Sequence, residues 1–149
     1  MSNPLQIKAL VREVFEQGRL MSLGFADAGG PWVADVLYIH DDDFNIYWIS
    51  HPNARHSKAA LTHPQMAGTI TIDGGSGADN KGLQFAGEVK RLVGLRYDLG
   101  VKHFKKRGKP APKVDFNFLE GRSWYVLKPS LIELIHEKHF GFDKQKLEL

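Results

Sequence analysis

The sequence contains no cysteine, which excludes disulfide frameworks, thiolate metal sites and thiol nucleophiles together. No apolar run approaches the length of a membrane span. Met1-Ser2-Asn3-Pro4 also lacks the basic patch and apolar stretch of a secretory leader, so the expectation is a soluble, cytoplasmic protein. Charge is nearly balanced, with 20 Lys and Arg against 17 Asp and Glu for a net charge of +3. Much of the excess lies in Lys102 to Lys109, and a partner of strongly opposite charge is not implied by the chain as a whole.

Several catalytic signatures are missing too. The seven histidines form no H-x-x-x-H pair on one helix and no carboxylate triplet accompanies them, so no metal site is expected. His136 and His139 read as solvated residues near a chain end. Ser57 has no G-x-S-x-G context, which argues against a serine hydrolase. Asp41-Asp42-Asp43 reads as a solvated turn rather than a pair of carboxylates set for acid–base work.

The most informative stretch present is Ser50 to Leu61, S-H-P-N-A-R-H-S-K-A-A-L. A strand, Phe44 to Ser50, is broken by Pro52-Asn53, and a helix begins at Ala54 with Arg55, His56, Ser57 and Lys58 in its first turn. Unpaired N–H groups at a helix start favour negative charge, and a guanidinium, a hydroxyl and an ammonium beside them make a phosphate cradle. Cations at this end oppose the helix dipole, and a purely structural helix start would carry Asp or Glu instead.

At 149 residues the chain suits one domain, 1–149. Ser2 or Asn3 caps an opening amphipathic helix that runs to Gly18. Leu20 to Ala26, Trp32 to His40 and Phe44 to Ser50 follow as an antiparallel meander. The helix from Ala54 ends near Pro64. Met66 to Ile72 and the alternating Leu83 to Leu92 are strands on either side of a glycine-rich loop. Leu95 to Lys106 is helical, and Trp124 to Leu127 and Leu131 to His136 close the chain as two strands bent at Pro129. Six or seven strands with few helices predict a closed or partly open barrel in a mainly β, α+β protein. The basic run at Lys102 to Lys109 would suit a nucleic-acid module on such a barrel, but a helix end whose cations complement the dipole is the simpler reading.

The segments A-R-H-S-K-A-A-L-T-H-P-Q-M-A-G-T-I and K-G-L-Q-F-A-G-E-V-K-R-L resemble the pyridoxamine-5′-phosphate oxidase-like FMN-binding split-barrel superfamily, and most closely a subgroup of small bacterial proteins within it. The resemblance runs from Leu20 through Phe140-Gly141-Phe142. It implies an antiparallel split β-barrel with a few flanking helices, assembled as a homodimer with one FMN in each of two interfacial clefts. By this resemblance Arg55, His56, Ser57 and Lys58, with Ser50 at the strand end, hold the FMN phosphate. Asp35 and Val36 lie where backbone and an Arg usually meet the flavin ring, and this chain lacks the Arg. Gln84 matches a Gln that reaches the ring, and Trp124 matches a late aromatic at the cleft.

The Arg and His pattern with which the true oxidase binds its substrate is missing after Trp124, so vitamin B6 chemistry is not implied. No catalytic acid or base stands out, which suits a cofactor that carries the redox chemistry itself. The expectation is an FMN-dependent oxidoreductase acting on a small molecule, the alternatives being a non-catalytic binder of flavin, haem or deazaflavin, and a nucleic-acid-binding barrel.

Overall fold

The computed structural model describes residues 3–149. Helix α1 (Pro4–Gln17) starts where Asn3 accepts the Leu5 N–H at 2.9 Å and Pro4 takes the first helical position, the arrangement in which a missing proline N–H costs nothing. Ser2, the other candidate cap, lies outside the described residues. Ile7, Leu10, Val11, Val14 and Phe15 form the buried stripe of α1. Then come β1 (Leu20–Asp27), β2 (Gly30–Leu37), the two-residue β3 (Ile39–His40), β4 (Ile46–Ser50), α2 (Arg55–Thr62), β5 (Gln65–Ile72) and β6 (Lys81–Arg91). The chain ends with α3 (Tyr97–Lys106), β7 (Ser123–His136), α4 (Glu137–Phe140) and β8 (Gln145–Glu148).

All strands join one antiparallel sheet in the order β2-β1-β5-β6-β7-β4-β3, with β8 on the free part of β7. The sheet curls into a half-barrel with four flanking helices, so the split-barrel expectation holds. The alternation of β5, with Met66, Gly68 and Ile70 inside and Ala67, Thr69 and Thr71 outside, is the period-2 pattern of a sheet with one buried face.

Three sequence expectations need correction. The meander holds for β1 and β2 and, over two residues, for β3 and β4, but β4 pairs along its length with β7, where Ile46 and Trp48 find cover beside Leu127 and Tyr125. The two closing strands are one continuous strand, β7, whose register shifts opposite Ala86 and Gly87. Pro129 sits at that shift, where the ladder needs no donor from it. Asp41 is not a freely solvated turn residue: its carboxylate accepts from the Asp43 and Asn45 backbone, the Asn45 amide and the Tyr47 hydroxyl at 2.8–3.0 Å. Partial burial pushes its pKa up, but these bonds outweigh it and the net shift is downward.

The main core lies between α1, α2 and the concave side of the sheet, with Phe15, Met21, Leu23, Trp48, Ile70, Leu83 and Ile132 at its centre. A second, smaller core under α3 gathers Ile39, Leu99, Phe118, Leu119 and Trp124.

Gly87 and Gly24 separate what the fold demands from what it permits. A Cβ at Gly87 would collide with the Lys128 carbonyl oxygen at the register shift, whereas one at Gly24 would meet nothing closer than the Ala67 carbonyl oxygen at 3.6 Å. Gly87→Ala should cost about 2–3 kcal/mol of unfolding free energy by forcing backbone apart. Gly24→Ala should stay within about 0.5 kcal/mol in the same urea titration.

Candidate functional site

The first turn of α2 is unusual in what surrounds it. Its cap residue, Ala54, offers no side-chain oxygen to the exposed N–H groups, and no acidic residue stands in the turn. Such groups are ordinarily satisfied by a cap, water or a ligand. Arg55 bridges to the β1–β2 turn: Nε and Nη2 donate to Asp27 Oδ2 and Oδ1 at 2.8 and 2.9 Å. The guanidinium also lies 4.5 Å from the Trp32 ring, the stacked geometry arginine favours. Asp27 receives the Gly29 N–H as well. The Arg55 bond, more than any other influence, holds the Asp27 carboxyl well below its usual range, at about 2.

Arg55, assigned by sequence to an anion, is thus anchored on one edge by a carboxylate, and Nη1 is the nitrogen left outside that pair. Ser57 is buried and its hydroxyl has no hydrogen-bond partner among the described residues, a condition that costs about 1–3 kcal/mol. Lys58 is exposed on the next position. Arg55 and Lys58 face a shallow depression of about 400 Å³ bounded by Asp27, Gly29, Ala59 and Thr62.

Ser50 and His56 meet each other: Ser50 Oγ lies 2.7 Å from His56 Nε2. Burial pulls the His56 pKa down, so the ring is largely neutral at pH 7. Across the β4–β7 ladder Ser50 faces Ser123, whose Oγ accepts from Arg91 Nε at 3.1 Å. Sequence reading missed Asp27, Arg91 and Ser123 here. Arg91 and Ser123 are brought in by strand pairing between distant segments and Asp27 by the β1–β2 turn folding over α2, and nothing local in the chain marks them.

Asp35 and Gln84 lie elsewhere, on the convex face of the sheet. Register aligns Asp35, Ser22, Thr69, Gln84 and Glu133 across five strands, and partners in adjacent strands share a face. Ser22 Oγ donates to Asp35 at 2.6 Å, and Lys144 Nζ donates to Gln84 Oε1 at 2.9 Å. The adjoining row is flat, with Gly24, Ala67 and Ala86 in register beside the exposed Val33. Val36 points the other way and packs against the main core. Within one chain, therefore, the α2 cluster and the Asp35–Gln84 row occupy different faces.

Trp124 is fully buried and donates its Nε1–H to the Leu95 carbonyl at 2.8 Å. The cleft aromatic expected there is a core residue, its ring against Phe118 and His103. Its place in the second core was not legible because that core gathers single residues from β3, α3, β7 and the loop at Phe118-Leu119, which lie far apart in sequence. His136 and His139, read as solvated, pack together with ring centroids 4.6 Å apart and the rings tilted by 50°, and His136 is buried. Among the described residues no group of three His, Cys, Asp or Glu side chains is placed to hold a metal ion. No helix of the described residues is long and apolar enough to cross a membrane.

No protein-family model matches the chain. Over 95 residues it is 28% identical to the UPF0306 protein YpAngola_A4021 of Yersinia pestis bv. Antiqua (strain Angola). That match spans 63% of this chain and 64% of the relative's own length. Among solved structures it is similar to general stress protein 26 from Bacillus anthracis str. Sterne, with a TM-score of 0.72 and 14% identity over 97% of this chain and 99% of that one. A heme binding protein from Mycobacterium smegmatis gives a TM-score of 0.68 and 13% identity over 99% of this chain and 59% of that one. A FAD-binding protein from Mesorhizobium loti gives 0.63 and 17% over 83% and 90%. At these identities the likeness establishes the shared split-barrel fold.

The Asp27–Arg55 pair sets a pH window. A carboxyl whose folded pKa is depressed stabilises the fold above its unfolded pKa, about 3.9, and that contribution is lost as pH falls through the folded value. Asp27, at about 2 when folded, should hold Arg55 undisturbed down to about pH 4 and release it between there and pH 2. Carboxyl-carbon NMR titration should place the Asp27 midpoint near the lower end of that window, and Arg55→Ala should return it toward the ordinary aspartate range.

Proposed function

We propose that the chain is an FMN-binding flavoprotein, acting as an oxidoreductase on a small molecule and working as a homodimer. The observation that carries this reading is the start of α2, where an uncapped helix end, an exposed Lys58 and a half-anchored Arg55 share one depression, with the buried Ser57 hydroxyl on the helix face behind them. That set fits a terminal phosphate: N–H groups and a hydroxyl to donate, cations to neutralise, and Asp27 to hold Arg55 in a fixed pose. When bound, the flavin would supply the hydride-transfer chemistry. The chain's own residues would bind its phosphate, orient the ring and shield it from water.

The same geometry supports homodimerisation. The α2 cluster and the Asp35–Gln84 row face different directions, so a ligand long enough to touch both needs a second copy of the sheet laid against the first. The convex face suits that role: Gly24, Ala67 and Ala86 make it flat, and the fold does not require glycine at Gly24. A flat platform beside hydrogen-bonding groups such as Gln84 accommodates a planar ring. The fold's association with flavin in the FAD-binding neighbour supports this reading.

A haem reading draws on the heme binding neighbour and needs an axial donor. His56 Nε2 is engaged by Ser50, while His51 is exposed with its Nδ1 accepting the Asn53 N–H, so His51 Nε2 is the better donor. A nucleic-acid surface is disfavoured because Lys106, at the centre of the basic run, is turned inward against Tyr38.

FMN should bind at least tenfold more tightly than riboflavin, since two charge-assisted phosphate contacts are worth roughly 1.5–3 kcal/mol each. Arg55→Ala with Lys58→Ala should erase the difference in a flavin-fluorescence titration, and Lys105→Ala, Lys106→Ala and Arg107→Ala together should leave it intact. Equal affinities for the two flavins in the unaltered protein would remove the phosphate role, and an intense Soret band on haem titration with no flavin bound would favour the haem reading. Light scattering should give a dimer at micromolar concentration, and dilution into the monomer range should release flavin in step.

A further inference from the structure

A second polar cavity lies away from α2, where the end of α1, β3 and the last turns of α3 meet. It measures about 460 Å³, with Phe15 and Ile39 as apolar walls and Lys102, Lys105 and Lys106 on one side. His40 begins the β3–β4 pairing and Ser50 ends β4, so the cavity is about 13 Å along the strand from the Ser50–His56 pair at 3.3 Å per residue. Spacings of three and four residues put Lys102, Lys105 and Lys106 on one helix face.

Lys102 and Lys106 are fixed in place. Lys102 Nζ donates to the His40 carbonyl at 3.2 Å, and Lys106 Nζ to the Tyr38 carbonyl at 2.6 Å. Lys106 Nζ also sits 3.4 Å from the centroid of the Tyr38 ring. An ammonium has three N–H donors, and the Tyr38 carbonyl is the one acceptor Lys106 has among the described residues. No ion pair among those residues includes it. Glu16, the carboxylate nearest in kind, is bound to His40 Nε2 at 3.1 Å. Asp42 stands on the cavity wall as the other acid.

We propose that Lys106 is a covalent modification site, an amine nucleophile that takes an acyl group from a small acyl phosphate drawn into this cavity by Lys102 and Lys105. The half-buried position gives the amine a pair of properties that no exposed lysine of the cavity combines. It is held in a single pose by the Tyr38 carbonyl, and burial, reinforced by Arg19 and opposed by Glu16, brings its pKa down to about 8. A fraction of it is therefore uncharged near neutral pH. The uncharged form keeps one N–H on the carbonyl and offers its lone pair to the cavity.

The step balances without an oxidant or a metal. The Nζ lone pair forms a bond to the acyl carbon, the bond from that carbon to the phosphate oxygen breaks, and inorganic phosphate leaves with the electron pair. The nitrogen gives its surplus proton to water. While Lys106 is charged, three lysines face two carboxylates and draw an anionic donor in preference to a neutral ester; once Lys106 is uncharged, Lys102 and Lys105 balance Glu16 and Asp42 and remain as partners for the donor's phosphate. Acylation would also remove the charge held over Tyr38, loosening one of the two lysine contacts by which α3 holds the carbonyls flanking β3.

The test uses the folded, unaltered chain with acetyl phosphate near pH 8, followed by peptide mapping over time. Lys106 should acetylate about tenfold faster than Lys105 and Lys109 in the same digest. Lys102→Gln with Lys105→Gln should slow acetyl phosphate at Lys106 at least fivefold, while the neutral donor p-nitrophenyl acetate keeps its rate within about twofold. A Lys106 rate no greater than that of Lys105 would overturn the proposal, as would a double change that leaves the acetyl phosphate rate untouched or slows both donors alike.

Discussion

Strand β7 is the constraint on which the rest of the structure depends. It pairs with three others: β4 along Ser123 to Leu127, β8 along Leu131 to Leu134, and β6 along nearly its whole length. β4 and β8 use the same edge of β7, one before Pro129 and one after it. That sharing is possible because the register shift opposite Ala86 and Gly87 turns the strand between the two, as an irregularity of this kind bends a sheet. Without the turn β4 and β8 would lie on one flat edge, and the sheet would not curl over α1. Gly87 is required at the turn because the Lys128 carbonyl occupies the space a side chain would need.

Curvature then decides where functional groups fall. The inner face, with Trp48 stacked on Tyr125, fills with large side chains. Polar groups are pushed to the rim, where Ser50, His56, Ser123 and Arg91 close the end of the barrel, and to the convex face. A half-barrel with a filled interior binds a sizeable ligand on its outside, and an outside site for a flat molecule needs a second wall. On the proposed reading, ligand binding and self-association therefore belong to one argument.

Much of the fold was legible in the sequence because most elements announce themselves locally. Asn3-Pro4 and Gly18 bracket α1, Pro52-Asn53 separates β4 from α2, and the alternation of Leu83 to Leu92 marks β6. What was not legible is non-local. The β4–β7 pairing joins segments some 75 residues apart in sequence, and no periodicity within either segment names its partner. The apparent break at Pro129 is a bend inside one strand, since a proline opposite a register shift removes no ladder bond. α4 and β8 were unread because four-residue elements have too few positions to show a period. For the site, the composition of Arg55 to Lys58 was readable, but the Asp27 lock on Arg55 was not, since it depends on a hairpin turn folding back over a later helix.

That lock sharpens the meaning of the charges at α2. Two cations at a helix start work against the dipole, and a chain selected for stability alone would neutralise them locally. Here one of the two is neutralised by Asp27 from another element and the other is left to solvent. Asp27 cannot also serve the helix N–H groups, because its oxygens are taken by Arg55 and the Gly29 N–H. The helix start thus keeps its unpaired N–H groups, its buried Ser57 hydroxyl and its surplus positive charge at once. Each of these costs stability in the free chain, and on the proposed reading a bound anion would relieve the N–H groups and the charge at once. Their coincidence on four consecutive residues weighs more than any one of them, because independent imperfections of a surface helix would have no reason to share a single remedy.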